Sequence, residues 1–117
     1  MSNITYETVV PRLVLEVPEA KVVLDSHIED NDELLPHLFF GDLTRFVLAM
    51  HEESAESVVS RILDYLERAM ESSDERVNEL IAVSFLENLL DAPTDLGSVR
   101  SRLGPKLNAE MKKYEAY

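Results

Sequence analysis

The 117-residue chain carries 23 Asp and Glu against 11 Lys and Arg, a formal net charge of −12, and has no cysteine. That length suits one domain, residues 1–117, with a single closed core. The charge disfavours nucleic acid and anionic membrane as partners and favours basic proteins or cations, and the missing cysteines exclude disulfides and thiolate metal sites. The opening Met1-Ser-Asn-Ile-Thr-Tyr-Glu7 has neither the basic region nor the apolar run of a signal peptide, so a cytoplasmic protein is expected.

Residues 1–17 admit two readings. Thr8 can cap a helix in which Pro11 falls third, where no internal hydrogen bond is lost. The alternation in Arg12-Leu-Val-Leu-Glu-Val17 also fits an extended segment. Pro18 suits the first position of a second helix running to about His27, with Val22, Val23 and Ile28 turned inward. After the acidic connection 29–33, Asp32 is expected to cap a third helix that tolerates Pro36 in its first turn. Leu35, Leu38, Phe39, Leu43, Phe46, Val47 and Met50 give that helix a wide apolar face. Gly41 within it suggests that another backbone packs close by.

Ser54 opens a fourth helix whose apolar stripe is Ala55, Val58, Val59, Ile62, Leu63, Leu66, Ala69 and Met70. Its other face carries Glu56, Arg61, Asp64, Tyr65, Glu67, Arg68 and Glu71. The short turn at 72–74 leads into a fifth helix over Glu79–Leu90 that is apolar nearly all round, with Leu80, Ile81, Val83, Phe85, Leu86 and Leu89 inside. Such a helix is covered on several sides, yet it is too short and interrupted to span a membrane. Beyond Pro93, Thr94 or Asp95 caps a short helix with Leu96, Val99 and Leu103 on one side. Gly104-Pro105 then starts a last helix that docks through Leu107, Met111 and Tyr114. The expected fold is an all-α antiparallel bundle of six or seven helices, with a slight superhelical twist as an option.

No chemistry-bearing motif stands out. Gly41, Gly97 and Gly104 are isolated, so neither a P-loop nor a dinucleotide fingerprint can form. The histidines 27, 37 and 51 do not pair at metal-ligand spacing and read as partly exposed surface residues. No catalytic residue, cofactor or metal is expected. Glu87 has two readings, a buried partner for Arg45 or, with Asn88, the exposed edge of the central helix.

Residues 22–99 hold 18 acidic and 4 basic side chains, whereas residues 100–117 hold 5 basic and 2 acidic ones. Two phrases in this acidic body, Leu34-Leu-Pro-His-Leu-Phe-Phe-Gly-Asp-Leu-Thr-Arg-Phe46 and Glu79-Leu-Ile-Ala-Val-Ser-Phe-Leu-Glu-Asn-Leu89, carry a family resemblance. With the Val17-Pro18 break and the Leu103-Gly-Pro105 stop, they resemble small acidic bacterial proteins of the immunity type, partners of contact-dependent or Rhs-type polymorphic toxins. The resemblance implies that the protein neutralises a cognate toxin domain, basic and acting on nucleic acid, by covering its active site, and brings no site residues with it; the oligomeric state is left open, with a monomer as the first expectation. The alternative is an intracellular adaptor or regulator of another basic protein. In either case the surface expected to bind is acidic: Glu29, Asp30 and Asp32 after helix two, Glu52, Glu53 and Glu56 between helices three and four, and Asp64, Glu67 and Glu71 on helix four. Tyr65, placed by periodicity on that polar face, is the expected aromatic anchor or else a residue lying over a neighbouring helix edge.

Overall fold

A computed structural model describes residues 3–90 and 97–115, and these residues form an all-α domain with no strand among them. Helix α1 is Val9–Glu16, so the helical reading of this stretch holds and Pro11 is indeed third. Thr8 precedes it without capping it, because its hydroxyl accepts the Thr5 N–H instead. Eight residues are too few for a stable isolated helix. α1 persists because Val9, Val10 and Leu13 are buried.

Pro18–Ala20 forms a 3-10 turn ahead of α2 (Lys21–Asn31), so the proline starts the turn and not the helix. Ala20, Val23 and His27, three and four apart, make a narrow inward stripe. Val22 and Ile28 lie a residue to either side of it and are exposed, contrary to expectation. Asp32 also departs from its expected role. It ends α2 in the left-handed region at φ 62°, its N–H donating to the Ile28 carbonyl, while α3 (Pro36–Glu52) begins behind Leu35. A side chain from α2 serves the entry to α3: the Leu35 N–H donates to His27 Nε2 at 2.9 Å.

α3 buries Phe39, Phe40, Leu43, Thr44 and Val47. Leu38 is 56% exposed because it belongs to the outward row Leu38, Asp42, Arg45 and Ala49. Gly41 faces the side chain of Asn88, at ordinary contact distance, and not a backbone. α3 ends in a Schellman motif, with the Ala55 N–H on the Met50 carbonyl and the Ser54 N–H on the His51 carbonyl. Ser54 takes the left-handed position there at φ 61°, so it closes α3 and does not open α4 (Glu56–Ala69).

The central stretch is α5 (Glu75–Ile81), a π turn (Ala82–Leu86) and α6 (Glu87–Leu90). Its burial follows the expected pattern at Leu80, Ile81, Phe85, Leu86 and Leu89, but Val83 is 40% exposed. A π turn disturbs the regular backbone ladder, and three polar side chains act around it. Asn88 Nδ2 donates to the Ser84 carbonyl, Thr44 Oγ1 donates to the Phe85 carbonyl, and Ser84 Oγ is bonded to His37 Nδ1. Asp74 caps α5 through the Arg76 N–H and also accepts the Tyr6 N–H, which fastens the N-terminal segment to this turn. Short α7 (Gly97–Arg100) leads to α8 (Pro105–Glu115), with Val99, Leu103, Leu107 and Met111 buried. The expected cap at Thr94 or Asp95 and the inward Leu96 lie outside the described residues.

Candidate partner-binding surface

The expected acidic site does not close into one patch. α3 separates its first two groups, and a helix of 17 residues spans about 25 Å. Glu29, Asp30 and Asp32 therefore stand at one end of the bundle and Glu52 and Glu53 at the other, all exposed. Asp64 on α4 and Glu71 just beyond its end are exposed, but the remaining members of the set are engaged within the molecule.

Tyr65 is fully buried, which removes it as an anchor for a partner. Its hydroxyl donates to the Val9 carbonyl at 2.6 Å, so α1 lies across the side of α4 that periodicity marks as polar. Burial pushes its phenol well above the usual tyrosine range, and the group stays neutral. The arginines on the same side of α4 clasp α1 and the turn after it. Arg68 meets Glu16 in a two-pronged ion pair and Arg61 meets Glu19. Both glutamates are held below the usual carboxylate range, first by the hydrogen bond from the arginine. Between α1 and α4, Glu16, Val17, Arg61, Asp64 and Arg68 line a shallow cleft of about 300 Å³. Its two arginines are already occupied by carboxylates.

On its opposite flank α4 meets α8. The Glu67 carboxylate accepts the backbone N–H groups of Lys106 at 2.7 Å and Leu107 at 3.0 Å. Pro105 being the first helical residue, these are the second and third positions of α8, the donors that a helix leaves unpaired. Glu67 thus caps a helix distant in sequence and is not free for a partner. Glu56 is paired with Arg102. Of the ten residues expected at the site, eight are exposed: Glu56, which Arg102 holds, and Glu29, Asp30, Asp32, Glu52, Glu53, Asp64 and Glu71.

The other polar candidates resolve as follows. Glu87 and Asn88 are exposed, and Arg45 pairs with Asp42, so the surface-edge reading of Glu87 holds. His27 is buried, not surface, bonded through Nδ1 to Asp42. Since the Leu35 N–H can only donate, Nε2 must offer its lone pair and the Nδ1–H faces Asp42. His37 is engaged with Ser84. Among the described residues, no helix is long and apolar enough to cross a membrane. One signal for the internal polar contacts is visible in the sequence: Ser84 interrupts an apolar run and Thr44 falls on the face of Phe40 and Val47, and each makes a hydrogen bond inside the bundle. Nothing in the local pattern marks Glu67.

The family described as a domain of unknown function, DUF7674, matches residues 10–117, and the chain belongs to that family. No curated protein and no solved structure matches it.

Proposed function

We propose that this member of the DUF7674 family is a binding protein whose partner is a basic protein, and specifically an immunity protein that covers the active site of a cognate toxin domain. The observation that carries the reading is how the positive charge is used. Arg45, Arg61, Arg68, Arg76 and Arg102 are each turned onto carboxylates of the chain itself, namely Asp42, Glu19, Glu16, Asp74 and Glu56. The acidic surplus is therefore left on exposed side chains such as Glu29, Asp30, Glu52, Glu53 and Glu71. A net of −12 is more than solubility asks of a small domain. A toxin that acts on nucleic acid presents a positively charged, phosphate-binding site, which such a surface complements and reaches faster by steering.

The test begins with co-purification of the protein with the product of the neighbouring reading frame. Association rates across salt concentration follow, for the wild type and for reversals at Glu29/Asp30 and Glu52/Glu53. Steering predicts a steep fall of the rate with salt in the wild type and a shallower one in a reversal. A captured protein that lacks toxic activity favours the adaptor reading. Association that ignores both salt and reversals refutes the electrostatic basis of the proposal.

A further inference from the structure

One side of the central helix is left uncovered by the bundle. Glu75, Glu79, Val83 and Glu87 follow one another at four-residue steps, and all four are exposed. Leu80, Ile81, Phe85 and Leu86 of this stretch are buried, whereas Val83 stands 40% exposed among the carboxylates of the stripe. The π turn spans Val83, and turns of this kind recur at functional sites.

Both borders of the stripe add to it. On α8, Tyr114 is half-buried, and burial first, then the carboxylates of Glu110, Glu87 and Glu79, push its phenol up while Lys113 opposes them. α8 packs against the π turn, and Tyr114 lies one turn beyond Glu110 on it. On α3, His37 is bonded to Ser84, the residue after Val83, and the adjoining Leu38 is exposed. Among the described residues no basic side chain holds Glu79 or Glu87.

We propose that Glu79, Val83 and Glu87, with Tyr114 of α8, form the docking surface for a basic amphipathic helix of the partner protein, while Glu110 stays paired with Lys113. This rests on the basic-partner reading above and names the surface that serves it. The partner's apolar side covers Val83 and Tyr114, and its Lys or Arg side chains meet Glu79 and Glu87. Glu79 and Glu87 are eight residues apart, about 12 Å along the helix, so cations two turns apart on the incoming helix reach both. The charge selects the occupant: a second copy at −12 is repelled, and a small hydrated cation gains nothing from the valine and the tyrosine.

The probes are a synthetic amphipathic Leu/Lys helix and an oligolysine of equal charge, each titrated into the full isotope-labelled chain by NMR. The expected result is amide shifts concentrated at residues 79–87 and 110–114. The amphipathic helix should bind about tenfold or more tighter than oligolysine, as truncation of central apolar anchors elsewhere suggests. Val83→Ser and Tyr114→Ala should each remove much of that advantage, while Glu79→Lys with Glu87→Lys should weaken both probes. Melting curves check that each variant folds, and Val83→Ser, on an exposed position, keeps the test available if Tyr114→Ala does not. Shifts confined to residues 29–32 or 52–56, with Val83→Ser silent, overturn this surface and leave the basic-partner reading standing. Absence of salt-dependent binding of either probe overturns both.

Discussion

Glu67 and Gly104 should behave as one device. The Glu67 carboxylate takes two backbone N–H groups at the start of α8. A side-chain cap of this kind is worth about 0.5–2 kcal/mol, and a negative charge at a helix N-terminus adds about 0.3–1 kcal/mol. Glu67→Ala should therefore cost about 1–2 kcal/mol. A Cβ on Gly104 would stand 2.5 Å from both Cδ and Oε1 of Glu67, a distance no real contact tolerates. No glycine of the described chain has a positive φ, so backbone strain does not enter. The carboxylate end is flexible and can swing away, but only by giving up the cap. Gly104→Ala alone should then cost about as much as Glu67→Ala. In the double variant there is no carboxylate to displace, and the second substitution should cost almost nothing. Urea denaturation of the four proteins, followed by circular dichroism, gives a coupling of about 1 kcal/mol or more. Hydrogen exchange at the Lys106 and Leu107 amides should accelerate in both single variants. Strictly additive costs would refute the argument.

Further outcomes can be checked in the same way. Phe85→Ala empties a fully buried site against α3 and should cost about 3–5 kcal/mol by urea denaturation, close to the whole stability of many small domains. Ser54→Gly should stabilise by about 0.5–1 kcal/mol, because a left-handed Cβ is relieved at φ 61°; a lowered melting temperature would contradict this. The Arg76 hydrogen bond and the Tyr6 amide lower the Asp74 carboxyl from 3.8 to about 2. Asp74 therefore stabilises the fold fully above about pH 4, and that contribution is lost as pH falls toward 2. Melting temperatures of Asp74→Asn and wild type should converge over that window; a gap that stays constant would refute it.

The helices were legible where one face dominates. The α4 stripe Val59, Ile62, Leu63, Leu66 and Ala69 is buried as its spacing predicts. What periodicity could not say is that α4 has covers on both flanks. Tyr65 counts as polar-face in a single-helix view and becomes core once α1, 56 residues earlier, lies over it. The same holds for Glu67, whose partners are 39 and 40 residues away. Val83 was misplaced for a different reason. An apolar run says that most of a helix is buried but does not say which residue is left outside. Leu38 shows the same limit on α3, where Phe39 and Phe40 claim the interior. The acidic character of the site was legible from composition; its division between two ends of α3 follows only from the helix length.

The contact between α1 and α4 also bears on how the chain is made. Val9 leaves the ribosome well before Tyr65, and at about 5–20 residues per second the 56 residues between them take about 3–11 s. Throughout that interval the Val9, Val10 and Leu13 strip has no α4 to lie on, and eight residues cannot hold a helix unaided. The nascent chain thus carries an apolar segment that waits for a later one. Chaperone contact during synthesis should concentrate there, and it should end once Arg68 has emerged to close on Glu16.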